Sequence, residues 1–281
     1  MIHALLSKYK LIHIGLILLF STPVYASIQP SNDKPLITLN AQTSSLAVPG
    51  NSNILIITIS VEDGWHTYWP GLNDTGYGIS IDIPTVQHLT FAEPFFPTPS
   101  RYISPGNILD HVYDGSFDVL IPFRVSEDAE IGTMIPVGAF VGALVCDDIC
   151  IPQSDGISLM LKVVGPNETN FTRQEAIDTL ANKPVSPTNA QVRWSENKVK
   201  FTIPRSTHYT FFPDNNCTTP ADLITQGDVE SDTLTITFDR QYDDDPTSPA
   251  RLSGRLRVKI EDSWREFDID YTQPTQQEVS P

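Results

Sequence analysis

The stretch TMIPVGAFVGALVCDDICIPQSDGISLMLKVV, residues 133–164, sets two apolar, β-type runs on either side of Cys146-Asp147-Asp148-Ile149-Cys150. Positions four apart in one continuous strand lie about 13 Å from each other, beyond the ~7 Å Cα limit for a disulfide. If these cysteines are bonded, a straight strand is excluded. A helix would bring them close, but Pro152 follows at once and no apolar stripe of helical period precedes them. A turn through Asp147 and Asp148, with one cysteine on each arm, fits best. The segment then reads as a β-hairpin with two sulfurs at its mouth.

Working outward, the same texture covers residues 35–164: PLITLNA, NILIITISV, WHTYW, GISIDIP and SFDVLIPFRV are short runs rich in Ile, Val, Thr and aromatics, separated by Pro, Gly, Asn and Asp. Several short strands without long helical patterns between them predict an antiparallel sandwich. Pro136 inside the sixth run marks an edge or a bulge. One helix is expected in the break that follows, with Thr172 as N-cap, Glu175 closing a capping box, and Ala176, Ile177 and Leu180 on one stripe before Pro184. From Gln191 the β pattern returns in QVRW, KVKFTIP, DTLTITFD, RLRVKI and REFDIDY. The predicted fold class is all-β: a sandwich at 27–166, a linker with a short helix at 167–187, a second and smaller β-rich unit at 188–272, and a polar tail at 273–281.

The first 26 residues are expected to be a cleaved signal peptide, with Lys8 and Lys10 before an apolar run from Leu11 to Phe20 and small residues at Val24 and Ala26. An apolar core of about ten residues is too short to span a bilayer, which takes roughly 20. No later run is apolar enough to span, so the mature chain is expected to be exported and to carry no membrane span. Removing Lys8 and Lys10 takes the net charge from −16 to −18. That acidity speaks against nucleic acid or an anionic membrane surface as partner. Export also places the cysteine pair where disulfides form and persist.

Three chemistries compete for the pair. A structural zinc site usually needs four Cys or His ligands, and beyond the pair the mature chain offers Cys217 and the unpaired spacings of His66, His88, His111 and His208. No metal or other cofactor is therefore expected. A disulfide closing so small a loop removes little entropy from the unfolded chain, which makes it a poor staple. Tight or exposed disulfides are the labile ones. Asp147 and Asp148 disfavour a thiolate beside them, so the pair suits a disulfide attacked by a partner's low-pKa thiol. Staple and exchange site both remain open on these grounds.

EDGWHTYW (62–69), followed much later by VCDDICIPQSDGISLML (145–161), resembles the amino-terminal periplasmic domain of the DsbD and ScsB family of transmembrane thiol:disulfide reductases. The likeness covers roughly Pro35 to Val164 and continues more weakly through YTFFPD and LSGRLRV. It implies an immunoglobulin-like sandwich in the periplasm, whose redox pair is Cys146 and Cys150, with Cys150 forming mixed disulfides and Cys146 resolving them. The implied partners are thioredoxin-like or membrane thiol:disulfide exchange proteins. Family domains shield the disulfide with an aromatic group on a cap loop, and LDHVYDGSF falls at that place, making Tyr113 the expected shield. After the second tryptophan this chain runs YWPGLNDTGYG, a departure from the family pattern. The family's membrane conduit and thioredoxin-like domain are not found in the sequence, so the expectation is a component that passes electrons without fetching them across a membrane.

In WHTYW the period of two puts Trp65, Thr67 and Trp69 on one face and His66 and Tyr68 on the other. The tryptophans read as core. His66 and Tyr68 are expected near the disulfide, where His66 can shuttle a proton or steady a thiolate against Asp147 and Asp148. An ordinary strand pair is the plain alternative. Cys217 in PDNNCTTPAD reads as a loop thiol of no consequence, ahead of an intermolecular bridge or a third redox member. No G-x-S-x-G elbow or paired acid and base supports a hydrolase. The rival to an exchange protein is a non-catalytic β-sandwich, a chaperone-like or binding module with a structural disulfide.

Overall fold

The computed structural model describes residues 35–168, 172–242 and 248–275. The expected signal peptide lies outside these residues, as do part of the acidic loop near Tyr242 and the end of the polar tail. Ten strands come first: β1 (Ile37–Thr43), β2 (Ser52–Val61), β3 (His66–Tyr68), β4 (Ser80–Asp82), β5 (Leu89–Phe91), β6 (Ser100–Ser104), β7 (Ile108–Tyr113), β8 (Ser116–Val125), β9 (Met134–Cys146) and β10 (Cys150–Lys162). They form two antiparallel sheets, β1-β2-β8-β5 and β10-β9-β3-β7-β6, with β4 also pairing β9. The cysteine hairpin is the longest pairing, running from Cys146 opposite Cys150 down to Met134 opposite Lys162.

Alternation explains the sandwich. Ile135, Val137, Ala139, Val141, Ala143 and Val145 take every second place on β9, and all are buried in the core against Leu55, Ile57, Ile59, Val119, Ile121 and Val125 of the facing sheet. Each Val, Ile or Leu among them contributes about 1.5–3 kcal/mol by leaving water, and the two alanines less. The run NILIITIS does not alternate because β2 is covered on both faces. Its Ile54 and Ile56 point away from that core and meet Leu120 and Ala176 in a separate cluster. Pro136 sits where β9 has β10 on one side and, among the described strands, none on the other.

Ala176 belongs to helix α1 (Gln174–Ala181), which lays Ala176, Ile177 and Leu180 on the outer face of β2 and β8. The stripe is as expected; the cap is not. Arg173, not Thr172, is the N-cap, and its side chain makes no capping bond. The Arg173 amide donates to the Ser44 carbonyl at 2.8 Å and its Nε to the Thr43 carbonyl at 3.2 Å, which starts the helix one residue late. Ala176 then falls at N3, so Glu175 cannot close a capping box. Thr172→Ala should accordingly change stability by less than about 0.5 kcal/mol in urea unfolding, where loss of a working N-cap costs about 1 kcal/mol.

The second half holds β11 (Gln191–Ser195), β12 (Lys198–Thr202), β13 (Ser206–Pro213), helix α2 (Leu223–Gln226), β14 (Asp228–Val229), β15 (Leu234–Thr237), β16 (Arg251–Ile260) and β17 (Ser263–Thr272). Its sheets, β11-β12-β15 and β14-β13-β16-β17, are again antiparallel. Between them lies a second core of Val199, Phe201, Tyr209, Phe211, Leu234, Ile236, Leu252, Leu256 and Val258. β13 was not among the expected strands, because its end does not alternate: Phe211 fills the second core while Phe212 packs its ring 5.4 Å from that of His111 on β7. The described residues after Lys34 form one compact unit. No described helix is long and apolar enough to cross a membrane.

Candidate functional site

Pairing of β9 with β10 brings Cys146 opposite Cys150, and the two are joined in a disulfide with Cα atoms 4.1 Å apart. Asp147, Asp148 and Ile149 make the exposed tip, closed by the Asp147 amide donating to the Ile149 carbonyl at 3.1 Å. The two sulfur residues are unlike. Cys146 is 1% exposed, packed with Tyr68, Val112 and Leu144, whereas Cys150 is exposed. One end of the bond is therefore open to a visitor and the other is shut inside.

Strand β3 supplies the neighbours. Its parity is the one expected: Trp69 is buried in the main core with Trp65 packed against it, while Tyr68 lies in the Cys146 cluster. The Tyr68 hydroxyl stands 3.8 Å from Cys150 Sγ. A disulfide sulfur carries no proton, so in the oxidised protein the hydroxyl is the donor. Burial raises the Tyr68 pKa above its ordinary value, so that it keeps its proton at neutral pH. His66 pairs with Cys146 across β3 and β9, its ring centre 5.4 Å from that of Tyr68. Burial lowers the His66 pKa, and Asp110, Asp147 and Asp114 pull it the other way without prevailing. The imidazole is thus mainly neutral at pH 7, able to accept or return a proton beside the sulfurs.

Tyr113 does not shield the disulfide. It pairs with Thr67, but its side chain enters the main core, stacks on Phe117 with ring centres 4.3 Å apart, and donates from its hydroxyl to the Pro97 carbonyl at 2.6 Å. The reason is the strand period: on β7, Asp110 and Val112 share the disulfide face and Tyr113 points the opposite way. The aromatic group against the disulfide is Tyr68, and Tyr102 of β6, 44% exposed, stands beside His66 with ring centres 4.9 Å apart. Tyr102, Val112 and Asp110 escaped the sequence reading because β6 and β7 were not recognised as strands. The signal was present in Pro105-Gly106-Asn107, a turn between two β-type runs, with positive φ at Gly106 and Asn107. Asp110 is buried and accepts from the Thr75 amide at 3.0 Å and from the Thr75 hydroxyl at 2.6 Å.

Cys217 does lie on a loop, on the bend after β13, but it is buried in the second core and its Sγ donates to the Thr218 carbonyl at 3.3 Å. The histidines beyond His66 sit in separate surroundings, His88 beside Asp128, His208 beside Asp228, and His111 donating from Nδ1 to the Leu72 carbonyl. Among the described residues no three His, Cys, Asp or Glu side chains converge as a metal set.

Residues 34–162 match the family model described as "Thiol:disulfide interchange protein DsbD, N-terminal". The amino-terminal periplasmic domain of ScsB from Proteus mirabilis is similar in structure, with TM-score 0.52 and 16% identity over 83% of this chain and 94% of its own. At that identity the likeness is one of fold, and it extends into the second β half. The DsbD amino-terminal domain of Neisseria meningitidis, solved in the reduced form, aligns over 47% of this chain and 88% of its own at 13% identity and TM-score 0.26. No curated relative matches the sequence.

Proposed function

We propose, from the premise that residues 34–162 are a DsbD/ScsB amino-terminal domain, that this protein exchanges electrons with partner proteins through the Cys146–Cys150 dithiol and disulfide. The observation that carries the reading is the asymmetry of the bond, exposed at Cys150 and buried at Cys146. A partner thiolate attacks Cys150 Sγ, a new intermolecular S–S bond forms, and the Cys146 sulfur leaves with the electron pair. A second partner thiolate then attacks the partner's own sulfur in that mixed disulfide, releasing Cys150 as thiolate. The partner ends oxidised, and this protein ends reduced by two electrons. The same swaps run backwards when the reduced pair meets an oxidised acceptor. In that reverse direction the neutral His66 ring accepts the proton of the Cys146 thiol as its sulfur attacks Cys150, and in both directions the Tyr68 hydroxyl donates to Cys150.

The partners that fit are thioredoxin-like or membrane-bound exchange proteins carrying a low-pKa thiol, met in an oxidising compartment such as the periplasm. The amino-terminal signal pattern of the sequence supports that location. Equilibration with a glutathione or dithiothreitol redox buffer tests the reading. The expected potential is above the roughly −300 mV below which structural disulfides of secreted proteins fall. A pair that stays oxidised in the folded protein at more reducing poise would leave a binding module with a structural staple.

A further inference from the structure

The segment after β3, Pro70–Ile79, folds back over its own strand. A Cβ at Gly76 would lie 2.1 Å from Tyr68 Cε1 and 2.3 Å from Cδ1 and Cζ, so the backbone of this strap rests directly on the Tyr68 ring. A Cβ at Gly78 would lie 2.3 Å from the Pro70 Cα, and one at Gly71 would lie 1.7 Å from Trp69 Nε1 and 2.5 Å from the Pro213 carbonyl. None of the three has a positive φ. Glycine is needed here for space.

The strap is fastened at two places. On the sandwich side, Asn73 Nδ2 donates to the Trp69 and Gly71 carbonyls at 3.0 and 3.1 Å, the His111 amide donates to Asn73 Oδ1 at 2.8 Å, and Thr75 holds Asp110. On the other side the anchor is the second β half. The Leu72 amide donates to the Pro213 carbonyl at 3.0 Å, Gly71 forms an antiparallel bridge with Asp214, and Asn215 Nδ2 reaches the Pro70 carbonyl at 3.4 Å. These are bonds to peptide groups of the strap itself. They set where its backbone runs, and side-chain packing alone would not.

We propose that the second β half is a positioning element for the disulfide: by pinning Gly71 and Leu72 it holds the strap down on the Tyr68 ring, and so keeps the Tyr68 hydroxyl on Cys150 Sγ. Gly71, Gly76 and Asn73 are then positioning residues, acting through Tyr68 and never touching sulfur. The inference rests on the exchange reading above for its meaning, but its geometry can be tested without any partner.

The measurement is the pH profile of iodoacetamide alkylation at Cys150 in the reduced full chain, read on the Cys150 peptide by mass spectrometry. Tyr68→Phe removes the donor and should move the profile to higher pH, slowing alkylation at pH 7 roughly 3- to 10-fold, since one pKa unit is a factor of ten in thiolate. Gly71→Ala and Gly76→Ala should do the same, and either one added to Tyr68→Phe should add nothing, because both act on one contact. Asn215→Ala, which removes the second half's side-chain bond to the Pro70 carbonyl without adding an atom, is the milder variant if an alanine at Gly71 blocks folding. Gly156→Ala, whose Cβ would meet the Phe140 ring at 3.3 Å on the same sheet, should leave the profile in place. A shift with Tyr68→Phe and none with Gly71→Ala or Asn215→Ala would overturn the positioning role of the second half. Failure of the redox-buffer titration with these shifts intact would sink the exchange reading alone.

Discussion

Cys146→Ser is expected to accumulate partner proteins bound covalently through Cys150, whereas Cys150→Ser accumulates none. Thiolate attack on a disulfide depends on which sulfur is reached and which one leaves. An incoming sulfur finds Cys150 exposed, while the way to Cys146 is closed by Tyr68, Val112 and Leu144. In the wild-type protein a mixed disulfide at Cys150 is short-lived, because Cys146 lies across the strand pair with its Cα 4.1 Å away and attacks intramolecularly. Well-oriented intramolecular reactions reach effective molarities of about 10⁵–10⁸ M. Serine at 146 removes that attacker, so the trapped species should outlive the wild-type one by a factor of at least about 100. Non-reducing electrophoresis of the exported variants, followed by peptide mapping of the joined bands, decides it. Bands joined through Cys146 in the Cys150→Ser protein would show that exposure does not select the attacked sulfur, and the order of steps above would have to be reversed.

Whether a feature could be read from sequence followed from how local its cause was. The cysteine hairpin was legible because spacing, Pro152 and the absence of a helical stripe all act within a few residues. The faces of β3 were legible because the period of two needs only the strand itself. Tyr113 was misplaced because β7 had not been recognised as a strand, so the likeness of LDHVYDGSF to a cap loop stood without a parity to check it. Once β7 pairs with β6, Val112 takes the place beside Cys146, Tyr102 the place beside His66, and Tyr113 has to turn inward. β13 was lost for another reason: Phe211 and Phe212 serve two different neighbours, and a strand covered on both sides leaves no alternation. The strap was visible only as a glycine-rich departure from the family pattern. Its contact with Pro213 spans some 140 positions of chain, and nothing in local periodicity encodes such a pairing.

The same junction predicts a pH dependence of stability. His111 is wholly buried, donates from Nδ1 to the Leu72 carbonyl at 2.9 Å, and packs edge-on to Phe212. Among the described residues its Nε2 has no hydrogen-bond partner. Burial pushes its pKa from 6.5 down to about 4, with the nearby Arg101 guanidinium adding to the fall and the Leu72 carbonyl, Asp110 and Asp74 opposing it. The folded state therefore holds the ring neutral where the unfolded chain has already protonated it. Stability is unaffected above the unfolded value near pH 6.5, falls as pH drops below it, and reaches its full loss once pH passes the folded value. A displacement of that size corresponds to about 3 kcal/mol. Other groups titrate in the same window, His66 among them, so the measurement is a difference: urea unfolding of the wild type and of His111→Asn at pH 7.5 and pH 4.5. Asparagine keeps a donor for the Leu72 carbonyl and cannot take up a proton. The wild type should lose about 2–3 kcal/mol more than the variant over that interval. Equal losses would mean that His111 reaches solvent when it is protonated, and that the contact between Phe212 and β7 opens more readily than its burial implies.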